Sequence, residues 1–201
     1  MRYLFFLLPA ALLLAQSKNP GDLAPGKFLI TTSPAPDPIF AESVILLIRY
    51  GADGAFGLMI NRPSGIPIAR ALHELRGAGG HNEPVFFGGP VQLDAVFALS
   101  RAPAKPEGAT EVFGRLYLLA AKPALEKSLA HARSSDVRMY LGYCGWSPHQ
   151  LENEVTRGGW YILTGDEALV FDGDPETLWR RLIRKAESQL ARARITAPAA
   201  R

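Results

Sequence analysis

The chain has 201 residues, of which 48% are hydrophobic and 20% are charged, and its formal net charge is +3. This composition indicates a globular protein with room for one domain, and it excludes a disordered chain. The charge is too balanced to imply a polyanionic partner by itself, and the single cysteine excludes an intramolecular disulfide and a cysteine-rich zinc site.

The N-terminus has the layout of a secretory signal. One arginine precedes an apolar run from Leu4 to Ala15, and Ala15-Gln16-Ser17 offers small residues for cleavage. The run has 12 residues, whereas a membrane-spanning helix needs about 20, so no permanent span is expected. We predict a signal peptide over 1–17 and an exported protein, with an N-terminal helix packed on the domain as the alternative.

The next segment, 18–26, is rich in Pro and Gly and is predicted to be a linker to a domain over 27–195. The domain opens with elements that are mostly strands. The expected order is a strand at 27–32, an antiparallel hairpin of 43–50 and 55–61, a short amphipathic helix at 66–75, and a second strand pair at 85–92 and 95–100. The continuous apolar run at 43–50 predicts a strand that is buried on both faces.

Helices become more frequent in the second half. The expected order is a strand at 111–120, a helix at 123–132, a strand at 136–146, a helix at 147–155, short strands at 160–165 and 167–173, a long helix at 174–195 capped by Asp174, and a disordered tail at 196–201. Strands outnumber helices and come partly as hairpins. The fold class is therefore α/β (α+β), with a mixed, mostly antiparallel sheet, because a regular βαβ alternation is absent.

The stretch GYCGWSPHQLENEV, 142–155, places the only cysteine five residues before His149. A catalytic thiol needs a base within hydrogen-bond reach. In the alternative, Cys144 packs as a small apolar side chain under a helix, and Ser147 and Gln150 form a capping box at the start of that helix. No metal site is predicted, because the histidines lack the spacing of zinc ligands.

Two further motifs have both a structural and a functional interpretation. Gly88-Gly89-Pro90 lacks the Gly-Lys-Ser/Thr ending of a phosphate-binding loop, which favours a backbone bend that admits another chain segment. Arg62, within Asn61-Arg62-Pro63, is suited either to clamp an anion or to tie a loop carbonyl. Glu152 and Glu154 point to different sides of a helix, so we expect them to be solvated.

The last helix carries a basic cluster beside its apolar face. A nucleic-acid surface has this composition, and so has the solvated face of an ordinary docked helix. Aromatic interleaving and a helix-turn-helix pattern are both absent, so nucleic-acid binding is kept only as an alternative. The cluster consists of Arg180, Arg181, Arg184 and Lys185.

Three separated blocks resemble the YqgE/AlgH family. They are KFLITTSPAPDPIFAESVILLIRYGADGAFGLMINRP, VFFGGPVQLDAVFALS, and YLGYCGWSPHQLENEVTRGGWYIL with LVFDGDPETLW. The resemblance implies a domain built on a strongly curved, barrel-like sheet flanked by helices. It implies no established enzymatic activity, no catalytic residues and no cofactor, and the family name carries a suggestion of transcriptional regulation.

The family-like positions form a candidate binding surface: Asn61, Arg62, Pro63, Gly88, Gly89, Pro90, Trp146 and Gln150, together with Gly142 and Gly145. The family usually has a small residue at the position of Cys144, which favours the packing interpretation. Its members are usually cytoplasmic and lack a signal.

The sequence therefore predicts a non-enzymatic binding or regulatory domain whose partner is an unknown protein or small ligand. The alternatives are a hydrolase that uses Cys144 or a pocket with Arg62, and nucleic-acid binding through the last helix.

Overall fold

The structure is a computed structural model that describes residues 16–33, 35 and 37–196, with side chains described from Lys18 to Ser188. Most of the predicted signal and the tail beyond Thr196 lie outside the described residues. The strands are β1 Gln16–Ser17, β2 Lys27–Thr31, β3 Val44–Gly51, β4 Gly54–Met59, β5 Pro63–Pro67, β6 Pro84–Phe87, β7 Val91–Arg101, β8 Thr110–Phe113, β9 Leu116–Leu119, β10 Val137–Trp146 and β11 Trp160–Thr164. The helices are α1 Ile68–Ala71, α2 Lys122–His131, α3 Gln150–Thr156, α4 Glu167–Val170 and α5 Pro175–Thr196.

The described strands join in one mixed sheet, and the helices flank it. The main order is β1-β11-β2-β3-β4-β10-β7-β9-β8, with β6 paired to β10 and β5 paired to β6. Only β6 and β10 pair in parallel among the described strands. The predicted fold class, a single α+β domain with a mostly antiparallel sheet, is confirmed, and the sheet stays open between its edges.

Strand β3 shows how the sheet separates two apolar layers. Val44, Leu46 and Ile48 belong to the core under α5. Ile45 and Leu47 face the opposite way and pack in the layer that α3 covers. The prediction that this strand is buried on both faces is therefore confirmed.

Strand β10 links the two halves of the sheet. Its last three residues, Cys144–Trp146, pair with β4, and its earlier part pairs with β6 and β7. The pairing register shifts between Leu141 and Tyr143, where Gly142 has a φ of 68°. The bulge re-aims the end of β10, which brings Trp146 over α3.

Two predicted strands are wrong. Residues 167–173 contain helix α4 instead, because Asp166 caps it by accepting the Ala168 amide at 2.9 Å. The predicted strand 111–120 is the hairpin β8–β9, because Gly114 turns the chain with a φ of 54°.

Three further elements differ from the prediction. Helix α1 has four residues, because the chain up to Pro67 belongs to β5 and Leu72 leaves the helical conformation with a φ of −121°. Strands β6 and β7 do not pair with each other, since both lie on β10. Helix α3 starts at Gln150, because His149 has a φ of 65° that an α-helix does not allow.

The segment assigned to a linker, 18–26, packs against the domain. Leu23 is buried in the layer under α3, and the Gly26 amide donates to the Leu47 carbonyl at 2.7 Å. Just before it, β1 pairs with β11. Across the part of the chain that the structure describes, no helix is long and apolar enough to cross a membrane.

Candidate functional site

A loop between β2 and β3 is clamped to the sheet through the three successive carbonyls of residues 40–42. Thr31 Oγ1 donates to the first at 2.7 Å, Arg62 Nη2 to the second, and Asn61 Nδ2 to the third at 2.9 Å. The Asn61 Oδ1 atom also accepts the Val44 amide at 2.8 Å. Of the two interpretations of Arg62, the structure shows the second: the guanidinium donates to a loop carbonyl, that of Ala41. We call 37–43 the clamped loop.

Arg62 and Pro63 also line an open depression of about 480 Å³. Glu42 and Glu176 lie on its wall, so two carboxylates face the space beside the guanidinium. These negative charges repel an anionic ligand and so disfavour its binding there.

A second set of contacts centres on Glu154 in α3. Its Oε2 atom accepts both indole N–H groups, from Trp146 at 3.0 Å and from Trp160 at 2.8 Å. Its Oε1 atom accepts the Gln150 amide at 3.0 Å. One carboxylate therefore joins α3 to β10 and β11.

The expectation that Glu152 and Glu154 are solvated is wrong. Both are half-buried, and Glu152 accepts the Tyr50 hydroxyl at 2.7 Å. This hydrogen bond, together with burial, raises the pKa of Tyr50 to about 12. The sequence pattern missed these partners because they come from strands that are distant in the chain.

Half of the predicted capping box is present. The Gln150 side chain reaches back to accept the Ser147 amide at 3.1 Å. The Ser147 hydroxyl donates to the same oxygen at 3.1 Å, so it does not accept from the helix. The result is a rigid start to α3 that holds Gln150 toward Glu154.

Between the clamped loop and α3 lies a cavity of about 240 Å³, the α3 cavity. The rings of Phe40 and Trp160 meet edge to face there, with centroids 5.9 Å apart. The two sides of the cavity therefore combine aromatic surface with polar groups. Its lining consists of Thr31, Asp37, Phe40, Gln150, Glu154, Arg157, Gly159 and Trp160.

Four of the candidate residues contact this cavity or its walls. Asn61 and Arg62 hold the clamped loop that carries Phe40, Gln150 lines the cavity, and Trp146 bonds to Glu154. Asp37, Phe40 and Arg157 were not among the residues predicted for the site. The signal for the first two was present, since both belong to the DPIF segment of the family-like block.

Gly88, Gly89 and Pro90 have a different place, at the point where the chain crosses β10. A Cβ atom on Gly88 would lie 2.3 Å from the Gly142 carbonyl oxygen, and one on Gly89 would lie 2.1 Å from the Tyr143 carbonyl carbon. The predicted bend that admits another segment is confirmed. Pro90 is half-buried beside the crossing. Gly145 is exposed and lies on β10, just after the residues that Gly89 crosses.

Cys144 and His149 are not brought together as a nucleophile and base. The thiol is 1% exposed and packs in the layer with Leu151 and Val155, and its Sγ atom lies 3.4 Å from the Gly88 carbonyl oxygen. Burial raises the pKa of the Cys144 thiol. His149 is exposed at the turn before α3.

The basic cluster of α5 is exposed but partly engaged with carboxylates. Arg181 lies 2.8 Å from Asp172, and Arg180 lies 3.9 Å from Glu42. No group of three or more potential metal-ligating side chains occurs within the described residues.

The fold defines the class of this protein: a one-domain α+β protein with an open, mostly antiparallel sheet. The chain belongs to the AlgH-like family, whose model matches residues 28–191. This finding confirms the resemblance seen in the sequence.

Relatives match over most of their length. A UPF0301 protein of Anaeromyxobacter dehalogenans is 37% identical over 176 residues, which cover 83% of this chain and 89% of that protein. A UPF0301 protein of Streptomyces avermitilis is 34% identical over 174 residues, which cover 83% and 88%.

Two solved structures are similar in fold. The solution structure of the AlgH protein from Pseudomonas aeruginosa is 30% identical, with a TM-score of 0.67, and the match covers 88% of this chain and 94% of that one. The crystal structure of protein DIP2367 from Corynebacterium diphtheriae is 22% identical, with a TM-score of 0.68 and coverage of 82% and 87%. The second likeness concerns the fold alone.

Proposed function

We propose that this protein is a non-enzymatic binding domain and that the α3 cavity is its binding site. One observation carries the proposal: family-like residues from separate parts of the chain converge on this cavity. Asn61 and Arg62 hold one wall, while Trp146 and Gln150 hold the other. Clusters of aromatic surface with a few fixed polar groups are typical of ligand sites.

The arrangement of the nucleophilic and cationic candidates supports binding over catalysis. The buried Cys144 has a raised thiol pKa, so its reactive thiolate form is disfavoured. Arg62 is tied to a carbonyl beside two carboxylates. The nucleic-acid alternative has less support, because Arg180 and Arg181 already face carboxylates.

A ligand screen tests the site. Saturation-transfer NMR against a library of neutral, anionic and cationic small molecules should give hits whose signal falls in the Phe40→Ala variant, which loses one cavity wall. The matched control is Ile39→Ala, a change on the same turn at a side chain that is 40% exposed and outside the cavity lining. Hits that bind both variants equally would contradict the proposed site.

We also propose that the protein acts outside the cytoplasm, on the strength of the signal-like pattern over 1–17. Mass spectrometry of the N-terminus after cell fractionation should find a chain that starts near Lys18 in an exported fraction. That result would remove a direct role in transcription. An intact Met1 in the cytosol would contradict export and restore such a role.

A further inference from the structure

We infer that the α3 cavity recognises a cationic group, namely a primary or quaternary alkylammonium. This inference rests on the proposed function and names the class of ligand for that site.

Glu154 has one unused acceptor position and no cationic partner. An ionised carboxylate accepts about four hydrogen bonds, and three are made here by two indoles and the Gln150 amide. The unused position is on Oε1. No Lys, Arg or His nitrogen lies within 4.0 Å of this carboxylate among the described residues. Neutral donors thus hold a negative charge at the cavity wall without cancelling it.

The remaining walls suit the same charge. The half-buried Phe40 ring supplies most of the aromatic surface, since Trp160 is only 3% exposed. Aromatic surface attracts cations through the ring quadrupole. Asp37 adds a second carboxylate, of which Oδ1 accepts the Ile39 amide at 2.9 Å. Aromatic rings bind ammonium ions in proteins, and neighbouring carboxylates add Coulomb attraction.

The cavity volume sets the size of the occupant. Pockets that enclose a whole small molecule measure about 300–1,000 Å³, and this cavity measures about 240 Å³. It therefore takes a small amine or the ammonium end of a longer molecule, such as a lysine side chain.

Arg157 is the one cation of the lining and is exposed. At the rim it repels a cationic occupant and would attract an anionic one. Removing its charge consequently has opposite effects on the two classes of ligand, which makes the inference testable without disturbing the core.

The test uses the full chain labelled with ¹⁵N. The Trp146 and Trp160 indole N–H groups both bond to Glu154. The backbone amides of α2, which packs in a separate apolar cluster and has no residue in the lining, serve as the internal control. Tetramethylammonium, n-butylammonium, neopentyl alcohol and butyrate are titrated separately at constant ionic strength. Nα-acetyl-lysine N-methylamide, whose side-chain ammonium stays free, is titrated as well. Comparing its affinity with that of n-butylammonium distinguishes a lysine side chain from a free amine as the occupant.

We expect the cationic probes to shift the Trp146 and Trp160 indole signals saturably, with a Kd of about 1–10 mM, and to leave the α2 amides unchanged. The Arg157→Gln variant should bind cations about 2–5-fold more tightly. Arg184→Gln, the matched control, removes an equal charge on α5 and should leave the Kd unchanged.

Two substitutions in the lining separate the contributions. Glu154→Gln should weaken cation binding at least about tenfold. Phe40→Leu keeps the apolar volume and should weaken cation binding about 3–10-fold. Because Phe40 is half-buried on a surface turn, this variant keeps the test valid if Glu154→Gln does not fold.

The outcomes separate the two proposals. Butyrate or neopentyl alcohol binding in the cavity in place of the cations would overturn the cation inference and leave a binding site standing. Weaker cation binding in Arg157→Gln would also overturn it. If none of the probes shifts the two indole signals, the inference is wrong, and the library screen then decides separately whether the cavity binds any ligand.

Discussion

Asn61 is the residue on which the geometry of the clamped loop depends most. Its amide satisfies one backbone acceptor and one backbone donor on the two sides of the turn that leads into β3. The side chain is 6% exposed, so water does not replace these bonds easily. A buried amide with both functions satisfied fixes a single loop conformation.

Asn61→Ala should lower the free energy of unfolding by about 1–3 kcal/mol, because it leaves the Val44 amide and the Glu42 carbonyl unpaired. Urea denaturation of both proteins measures the change. Asn153→Ala is the matched control, since Asn153 is exposed on α3 and should change stability by no more than about 0.5 kcal/mol. Equal effects of the two substitutions would contradict the clamp.

Cys144 should be unreactive in the folded protein. Burial raises the pKa of its thiol and also blocks access to the sulfur. Labelling with a thiol reagent near pH 8 should be negligible in the native state and complete in concentrated urea. Fast labelling of the native protein would overturn the packing role and restore a thiol mechanism.

At the scale of elements, α3 depends on polar contacts with three strands. Tyr50 on β3 donates to Glu152, while Trp146 on β10 and Trp160 on β11 donate to Glu154. The apolar face of α3, formed by Leu151 and Val155, packs in the layer beneath. This short helix is held by its surroundings and not by its own propensity.

The Tyr50 contact gives a pH dependence of known sign. The pKa of Tyr50 is raised to about 12, above the value of about 10 for an unfolded tyrosine. The contact therefore contributes stability below about pH 10 that is lost as the pH rises toward 12. Urea denaturation at pH 8 and pH 11 should show a larger loss for the wild type than for Tyr50→Phe. Parallel losses would contradict the contact.

The crossing at β10 predicts a large steric effect. Gly142→Ala places a Cβ atom 2.3 Å from the Gly89 carbonyl oxygen at a φ of 68°. Gly158→Ala, with a φ of 83° and open space, measures the cost of the backbone conformation alone, which is about 1–2 kcal/mol. We expect Gly142→Ala to cost at least about 2 kcal/mol more. Thermal unfolding of both variants measures the difference.

The predictability of the elements followed the length of their patterns. The run 43–50 and the helix from Pro175 have many apolar positions, so their periodicity identified them. The short segment 167–173 could not be identified in this way, because its four apolar or aromatic residues fit either one strand or one helical turn. The cap at Asp166 makes it a helix. The crossing of Gly89 over β10 was foreseen as a close approach, but its partner strand was not.

At the scale of the molecule, the sheet separates two functional candidates. The α5 helix packs on the layer that contains Val44 and Leu46, and the Trp160 side chain belongs to the other layer, under α3. A ligand in the α3 cavity therefore does not cover the basic face of α5. The Arg180–Glu42 ion pair nevertheless joins that face to the clamped loop.

The sequence predicted the fold class, the family and four residues that hold the cavity. It did not predict the cavity, because its walls come from the loop at 37–43, from α3 and from β11, and nothing in a linear pattern indicates that these meet. The hydrogen bonds from Trp146 and Trp160 to Glu154 illustrate the point. Each residue alone has an ordinary structural explanation.

We propose the α3 cavity as the binding site of this domain. A map of backbone amide chemical-shift changes, recorded while the tightest-binding probe is titrated into the full chain, tests it most directly. The changes should cluster at 37–43 and at 150–160. Changes centred on 61–63 and Glu176, around the depression beside Arg62, or along α5, with 150–160 unaffected, would contradict this assignment.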